Sequence, residues 1–413
     1  MIKAIDKREG GSFFDRSISI TFIIDALILL YTVSVYLLSF DVQGNVISRL
    51  LAFALMGMIS IYILMSKKII LNGITIWFGA FIVFCLLSSL WAINISLATE
   101  RVFTLVQLFI LSVLLYNYLY KENKVDYYIK VLCWSGVIFA VYTVLYFGVE
   151  AYFAGLEEGE RMGGEITNVN TIGLATATAA LICLWNVFYN NKKWYLIPTV
   201  ICTIVALGSG SRKVLVLLFL GIALLFVLKG DSKKKIVSIL QGIGVLIVLI
   251  LVLQMPIFDT ITSRMEGLFN MFTGEGSVES SANDRMIMIK IGLEKFLQDP
   301  FKGVGIGNSG YIVMDKMGRN TYLHNNYIEL LASVGIFGTL LYYGMYFATM
   351  PQIFKSASKQ DRYSILVLTI LMLQLVIDYA AVQYYEKTPY LYIVLFFLIA
   401  DKEKEKIKNV AKN

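Results

Sequence analysis

Histidine is almost missing from these 413 residues: there is one, His324. Proline occurs five times, cysteine four times, and charged side chains make up only 16% of the chain. Each scarcity excludes something. Cys85, Cys133, Cys183 and Cys202 all fall inside apolar runs, with no CxxC or Cys/His spacing, so neither a disulfide framework nor a zinc site is indicated and they read as packing residues. With 58% hydrophobic residues and a mean hydropathy of +0.71, the chain has too little polar surface to cover itself as a soluble globule. There is no soluble domain, no linker and no internal repeat. The net charge of +7 lies mostly in short segments between apolar runs and in the tail from Lys402 to Lys412. Such charge sets topology and meets anionic lipid, and it forms no basic face for nucleic acid.

What is abundant is apolar sequence. Twelve runs, near 19–39, 47–65, 70–91, 100–119, 127–149, 169–190, 194–208, 211–228, 236–254, 326–349, 363–384 and 388–400, mostly approach the roughly 20 residues that cross a bilayer as a helix. They lack the ten-residue alternation of an outer-membrane barrel, and helices satisfy their own backbone in lipid. The expected fold is therefore an all-α polytopic membrane protein of about twelve spans. The first run is too long for a signal-peptide core and reads as a retained helix. With a cytoplasmic N-terminus, 23 of the 36 Lys and Arg fall on the inner side and 13 outside, seven of these in the long loop 255–325. Long loops weigh little in the positive-inside rule, so both termini are expected in the cytoplasm and the loop outside. On this reading a cysteine in 270–280 reacts with an impermeant reagent from outside, and one in 231–234 does not. The organisation is 1–254 with spans 1–9, the extracytoplasmic loop 255–325, and 326–413 with spans 10–12 and a basic tail.

A loop of some seventy residues usually carries function or secondary structure of its own. Met286, Ile289, Leu293 and Phe296 follow helical spacing, Asn283 can cap, and Pro300 follows, which predicts an amphipathic helix over 282–298 lying on the outer membrane face. The glycines of Gly303-Val304-Gly305-Ile306-Gly307 then allow close backbone approach and unusual torsions. Among the prolines, Pro256, Pro300, Pro351 and Pro389 sit at span edges or in the loop, and Pro198 lies within a run. Matched broken helices of the transporter kind are absent.

His324 stands where the loop re-enters the membrane. Imidazole titrates nearest to neutral pH, so a lone histidine there suits a general base, although an interfacial or capping histidine reads equally simply from position alone. Three arginines share its predicted side. Arg212 closes the turn Gly208-Ser209-Gly210-Ser211-Arg212 at a helix start, where exposed N–H groups and a guanidinium suit phosphate, or a tight turn with a snorkelling arginine. Arg285 opens the loop helix. Arg161 leads Arg161-Met162-Gly163-Gly164-Glu165-Ile166-Thr167-Asn168-Val169-Asn170. Together with Asn168, Asn170 and Asn325, these residues make a site for a diphosphate and a sugar hydroxyl. Glu329 and Asp378 lie at similar depth and could orient the imidazole, pair with an arginine, or join helices structurally. Asp25 lies toward the other side without a catalytic role, and the Glu157, Glu158, Glu160 cluster reads as a solvated loop.

The stretch running from Arg285 through Phe296, Pro300, Gly303, Gly305, His324-Asn325, Tyr327, Gly335 and Gly338 resembles the signature region of the O-antigen ligase and polymerase superfamily. The Ser211-Arg212 turn and the Arg161 to Asn170 segment resemble two further motifs of that family, in the same order. The resemblance is strongest over 160–340. It implies a GT-C-like membrane glycosyltransferase that takes a glycan from undecaprenyl diphosphate on the outer leaflet of the bacterial plasma membrane and transfers it to an acceptor saccharide, by metal-independent inverting displacement and without a cofactor. His324 would deprotonate or orient the acceptor hydroxyl, Arg212 and Arg285 would hold the leaving diphosphate, and Arg161, Asn168 and Asn170 would shape the donor pocket. Membrane lipid and other polysaccharide-assembly proteins are expected partners. The chain departs from the family pattern at Val169, where proline is usual, and at Met286 to Ile289, where an aromatic residue is usual. A flippase or transporter of lipid-linked oligosaccharide, and a non-catalytic assembly protein, are the competing classes; the first predicts charges deep in a central cavity, the second replaceable motifs.

Overall fold

A computed structural model describes residues 19–38, 42–66, 69–230, 234–259, 262–263 and 280–410. The labelling positions 270–279 and 231–233 lie outside the described residues. Every apolar run lies on a helix: α1 (Ile20–Leu37), α2 (Val42–Ser66), α3 (Gly73–Ser88), α4 (Ile95–Lys121), α5 (Val125–Phe147), the short α6 (Val149–Glu157), α7 (Val169–Tyr189), α8 (Leu196–Gly208), α9 (Arg212–Leu228) and α10 (Lys235–Leu253). After the loop region come α11 (Ser280–Gln298), α12 (Ser309–Met317), α13 (Asn326–Ser358), α14 (Arg362–Asp378) and α15 (Lys387–Val410). Eight of the described helices are long and apolar enough to cross a membrane, so the chain is a multi-pass membrane protein. On the helices α8, α9, α14 and α15 the other four predicted runs are shorter, or end in charge.

Burial sorts the helices. Ile393 to Ala400 on α15 and Ala175 to Asn186 on α7 are buried on every side, the mark of helices at the centre of a bundle. By contrast α2 and α10 keep exposed apolar faces, with Leu50, Phe53, Leu240 and Leu251 more than half exposed.

The connections between helices fall into two groups by contact. In one, Lys387 reaches Asn45 and Ser48, the Asn94 N–H donates to Asn308 Oδ1 at 2.7 Å, and Arg161 Nε donates to the Ser209 carbonyl at 3.0 Å. In the other, Lys124 pairs with Asp25 at 2.6 Å, Arg362 donates to Asn190 Oδ1 at 2.7 Å, and Lys402 meets Asn123. These are the two sets of segments that alternate across the predicted spans. Asp25 is thus a structural partner at the end opposite His324.

Two prolines sit differently from their reading in the sequence. A 3₁₀ turn over Lys193–Tyr195 precedes α8, which places Pro198 in the first turn, where its missing N–H costs no hydrogen bond. Helix α13 runs on through Pro351 to Ser358, past the end of the apolar run at 349.

The glycine-rich strap after Pro300 explains a break inside α13. Gly335 has φ +64° and ψ −171°, so the helix ladder is interrupted there. In an unbroken helix the Ile336 N–H would donate to the Ala332 carbonyl. Here Ile336 N–H donates to the Pro300 carbonyl at 2.8 Å, and the Ala332 carbonyl accepts from Val304 N–H at 2.9 Å. The strap therefore supplies both halves of the missing bond, as a buried backbone requires. It is held on its other side by Val304 O, which accepts from Ile93 N–H, and by Ser88 Oγ, which accepts from Ile306 N–H.

Only glycine fits this seam. Gly303 has φ +67°, and a Cβ there would stand 2.6 Å from the Ala332 carbonyl oxygen; at Gly335 it would collide with the Phe301 carbonyl. Gly303→Ala and Gly335→Ala are each expected to cost roughly 2–6 kcal/mol, from strained torsion plus overpacking, and to lower the melting temperature of the detergent-purified protein. Gly57→Ala on α2, where an added Cβ meets nothing within 4 Å, serves as the contrast and should not destabilise.

Candidate functional site

The segment from Arg161 to Asn170 folds onto the Gly208 to Arg212 turn. Met162 N–H donates to the Gly208 carbonyl at 3.0 Å and Arg161 Nε to the Ser209 carbonyl at 3.0 Å. Gly210, with φ +59°, lies under the Arg161 side chain, and an added Cβ would meet Arg161 Cγ at 2.9 Å. Asn168 caps α7, accepting from Asn170 N–H at 2.9 Å, and Asn170 Oδ1 is 2.8 Å from Ser211 Oγ. Two motifs forty residues apart in sequence are thus one structure. Val169 is the first residue of α7, a position where proline also fits without loss, so this departure from the family pattern changes no backbone bond. Arg161, Gly164, Glu165, Asn168 and Asn170 line an open concavity of about 580 Å³.

The loop helix exists, but two of its expected details change. It begins at Ser280, so Asn283 lies inside its first turns and does not cap it. The face that docks on the protein carries Met288, Ile291 and Gly292; a Cβ on Gly292 would meet Leu323 at 2.8 Å and collide with Ile328. Met286 and Leu293 of the predicted apolar face are each 42% exposed. The helix is therefore packed against the start of α13 through a face rotated from the expected one. That packing brings Arg285, in its first turns, toward His324.

His324 holds a left-handed backbone, φ +56°, an uncommon conformation for a residue with a side chain and one found at functional turns. The next residue, Asn325, is buried and caps α13, its Oδ1 accepting from Ile328 N–H at 3.1 Å. The imidazole lies against the Tyr322 ring, with centroids 4.2 Å apart. Burial, then the charges of Arg285, Lys213 and Arg319, push its pKa down to about 4. The neutral imidazole is thus the resting form at pH 7. Tyr322 is pushed up, by burial first.

Lys213 links the groups. It follows Arg212 on the first turn of α9 and lies within electrostatic reach of Arg161, Arg285 and His324. Arg319 pairs with Asp284 at 2.8 Å beside Arg285. The sequence reading missed both residues; Lys213, adjacent to Arg212 in the same turn, was the more visible. Arg161, Arg285 and His324 are therefore linked through Lys213, which Arg212 precedes in the same turn.

Glu329 and Asp378 serve the scaffold. Glu329 accepts from Ser309 Oγ and from Leu323 N–H at 3.0 Å, which fixes the residue before His324. Asp378 accepts from Tyr343 OH at 2.9 Å and Asn326 Nδ2 at 3.3 Å, while Asn326 Oδ1 accepts from the Gln383 and Tyr384 N–H groups. Among the described residues no carboxylate hydrogen-bonds the imidazole, and no three His, Cys, Asp or Glu side chains gather as a metal site would need. The Glu157, Glu158 and Glu160 side chains are exposed.

No curated protein matches the chain. Residues 197–343, which carry Arg212, Lys213, Arg285, the glycine strap, His324 and Gly335, match the family described as O-Antigen ligase. The match covers about a third of the chain and supports a place in the O-antigen ligase and polymerase superfamily, whose members are glycosyl-transferring enzymes of surface polysaccharide assembly.

Proposed function

We propose that the protein transfers a glycan from undecaprenyl diphosphate to an acceptor saccharide on the outer face of the plasma membrane, by an inverting, metal-independent displacement on a GT-C-like scaffold. The observation that carries this reading is the His324 imidazole, set against Tyr322 in a left-handed turn and within electrostatic reach of Arg285, Lys213 and Arg319 from three separate segments. A diphosphate leaving group develops negative charge, which Arg212, Arg285 and Lys213 would compensate; the electrostatic reach of Lys213 to Arg285 and His324 supports this reading. Arg161, Asn168 and Asn170 shape the donor side. His324 takes the proton of the attacking hydroxyl, and Asn325 holds it in place by capping α13. A transporter would need charge deep within the bundle, whereas these groups sit at one end of it.

His324→Asn keeps a residue that tolerates the left-handed turn, so it tests chemistry apart from folding. Transfer from a lipid-linked oligosaccharide should fall by about 10²–10⁴-fold with the melting temperature little changed. The pH dependence carries a sign. The free site holds His324 near pKa 4, so the acid limb of kcat/KM for donor should lie low. Bound diphosphate offsets the cations that depress it, so the acid limb of kcat should lie at higher pH. Coincident limbs would count against His324 as the base.

Sidedness has its own test. Cysteine at Glu158 or Lys316, both exposed and on the His324 side, should react with an impermeant thiol reagent on intact cells, and cysteine at Lys192 or Lys359 should not. The reverse pattern would put the site in the cytoplasm and remove the outer-leaflet donor. EDTA should leave transfer intact, because arginine and lysine carry the leaving-group charge; loss restored by a divalent ion would sink the metal-independent mechanism.

A further inference from the structure

Three of the four cysteines come together in the fold. Cys133 on α5 and Cys183 on α7 are 50 residues apart in sequence, yet their Sγ atoms lie 3.3 Å from each other. Cys202 on α8 is within electrostatic reach of both. All three are thiols, and none is more than 1% exposed. Packing explains the approach. One turn from the pair, Gly136 of α5 faces Ala179 of α7, and a Cβ added to Gly136 would stand 2.5 Å from the Ala179 Cβ. No side chain holds the two backbones apart there, and a disulfide needs such closeness.

Depth decides what reaches these thiols. Helix α5 starts at Val125 and α7 ends at Tyr189, so at about 1.5 Å per residue both sulfurs lie roughly 10 Å inside the helix ends opposite His324. Charged oxidants and reductants of the aqueous phase are excluded from that depth. Lipid-soluble molecules come closer: α8 is peripheral, with Ile197 and Val200 more than half exposed, so the group sits one helix in from hydrocarbon. A bond between Cys133 and Cys183 would close a loop that contains α6 and the whole Arg161 to Asn170 segment. Crosslinks stabilise chiefly by restricting the unfolded chain, and long loops gain most.

We propose that Cys133 and Cys183 form a redox staple: a lipid-soluble quinone converts the two thiols to a disulfide that fastens α5 to α7 and leaves the site at the far end of these helices unchanged. Each sulfur gives up its hydrogen as the S–S bond forms, and two electrons and two protons pass to the quinone, which departs as quinol. Quinones already serve as electron acceptors for protein thiol oxidation in bacterial envelopes. Cys202 remains a thiol. The staple does not depend on the glycosyl transfer proposed above.

The test treats the full chain in detergent with a fully substituted alkyl quinone, which offers no ring C–H for a thiol to add to, and maps its peptides by non-reducing mass spectrometry. A Cys133–Cys183 bond should form, and the melting temperature should rise by roughly 5 °C or more over the reduced protein. A charged, water-soluble phosphine should leave the bond intact in the folded protein and cleave it after unfolding. Cys133→Ala and Cys183→Ala should each melt at the same temperature with and without quinone, a comparison within one variant that any packing defect leaves valid. Cys202→Ala and Cys85→Ala should keep the bond and the rise. Four free thiols after quinone treatment would overturn the proposal, as would a bond from Cys183 to Cys202 or a bond that leaves the melting temperature unmoved. Cleavage by the phosphine in the folded protein would overturn the sealed position of the pair, and glycosyl transfer lost on oxidation would overturn the unchanged site.

Discussion

The seam between the glycine strap and the break in α13 is the constraint on which the site depends. A helix interrupted inside a membrane protein must find other partners for the freed peptide groups, since the surrounding hydrocarbon has none. Pro300 and Val304 supply them, and in doing so they lock the strap against α13 with no freedom to slide. The strap's far side is bonded to Ser88 and Ile93, so the start of α13, the α3–α4 connection and the end of α11 become one body. His324 stands at the free end of that body. Its distance from Arg285 is then set by the short path through α11 and the strap, and by Gly292, whose missing side chain lets the two helices touch.

Scaffold and chemistry use different residues at this end. The buried polar groups behind His324, namely Glu329, Asn326, Tyr343 and Asp378, are satisfied by one another and by backbone. They hold the turn while leaving the imidazole without a carboxylate partner among the described residues. The cations in front of it have the opposite character: gathered from α9, α11 and the segment before α7, they repel one another. Such a cluster lowers stability, by the ordinary Coulomb cost of like charges near a low-dielectric wall, and it is relieved by a polyanion. A fold that tolerates that cost needs its hydrogen-bonded seam elsewhere.

Much of this was legible beforehand because periodicity and composition are local signals. The apolar runs located the helices, and the glycines at 303, 305 and 307 announced close approach. His324, Arg285, Arg212 and Arg161 could be singled out because rare or charged types stand out against apolar sequence. What stayed hidden was relational. Asn283 has the right chemistry for a cap, but the helix starts three residues earlier, and the face of α11 that docks is chosen by the gap above Gly292. Lys213 reads as a flanking charge until Arg285 is brought to it from some seventy residues away. Arg101 carries no motif; only the fold sets it over Tyr385 and against Gly307.

The depressed basicity of His324 gives the proposed reaction an order. An imidazole held near pKa 4 is a poor acceptor for a sugar hydroxyl proton, because general bases work best when their pKa is close to the ambient pH. The groups that depress it are the same cations proposed to hold the diphosphate. Filling that site with negative charge removes the electrostatic part of the depression, while the part due to burial remains. Donor binding would then raise the affinity of the imidazole for a proton at the moment when an electrophile is present to be attacked. A carboxylate fixed to the ring would abolish this dependence by keeping the histidine basic whether or not donor was bound. No carboxylate among the described residues hydrogen-bonds the imidazole, and in the proposed reaction the negative charge that restores its basicity would come from the donor's own phosphate.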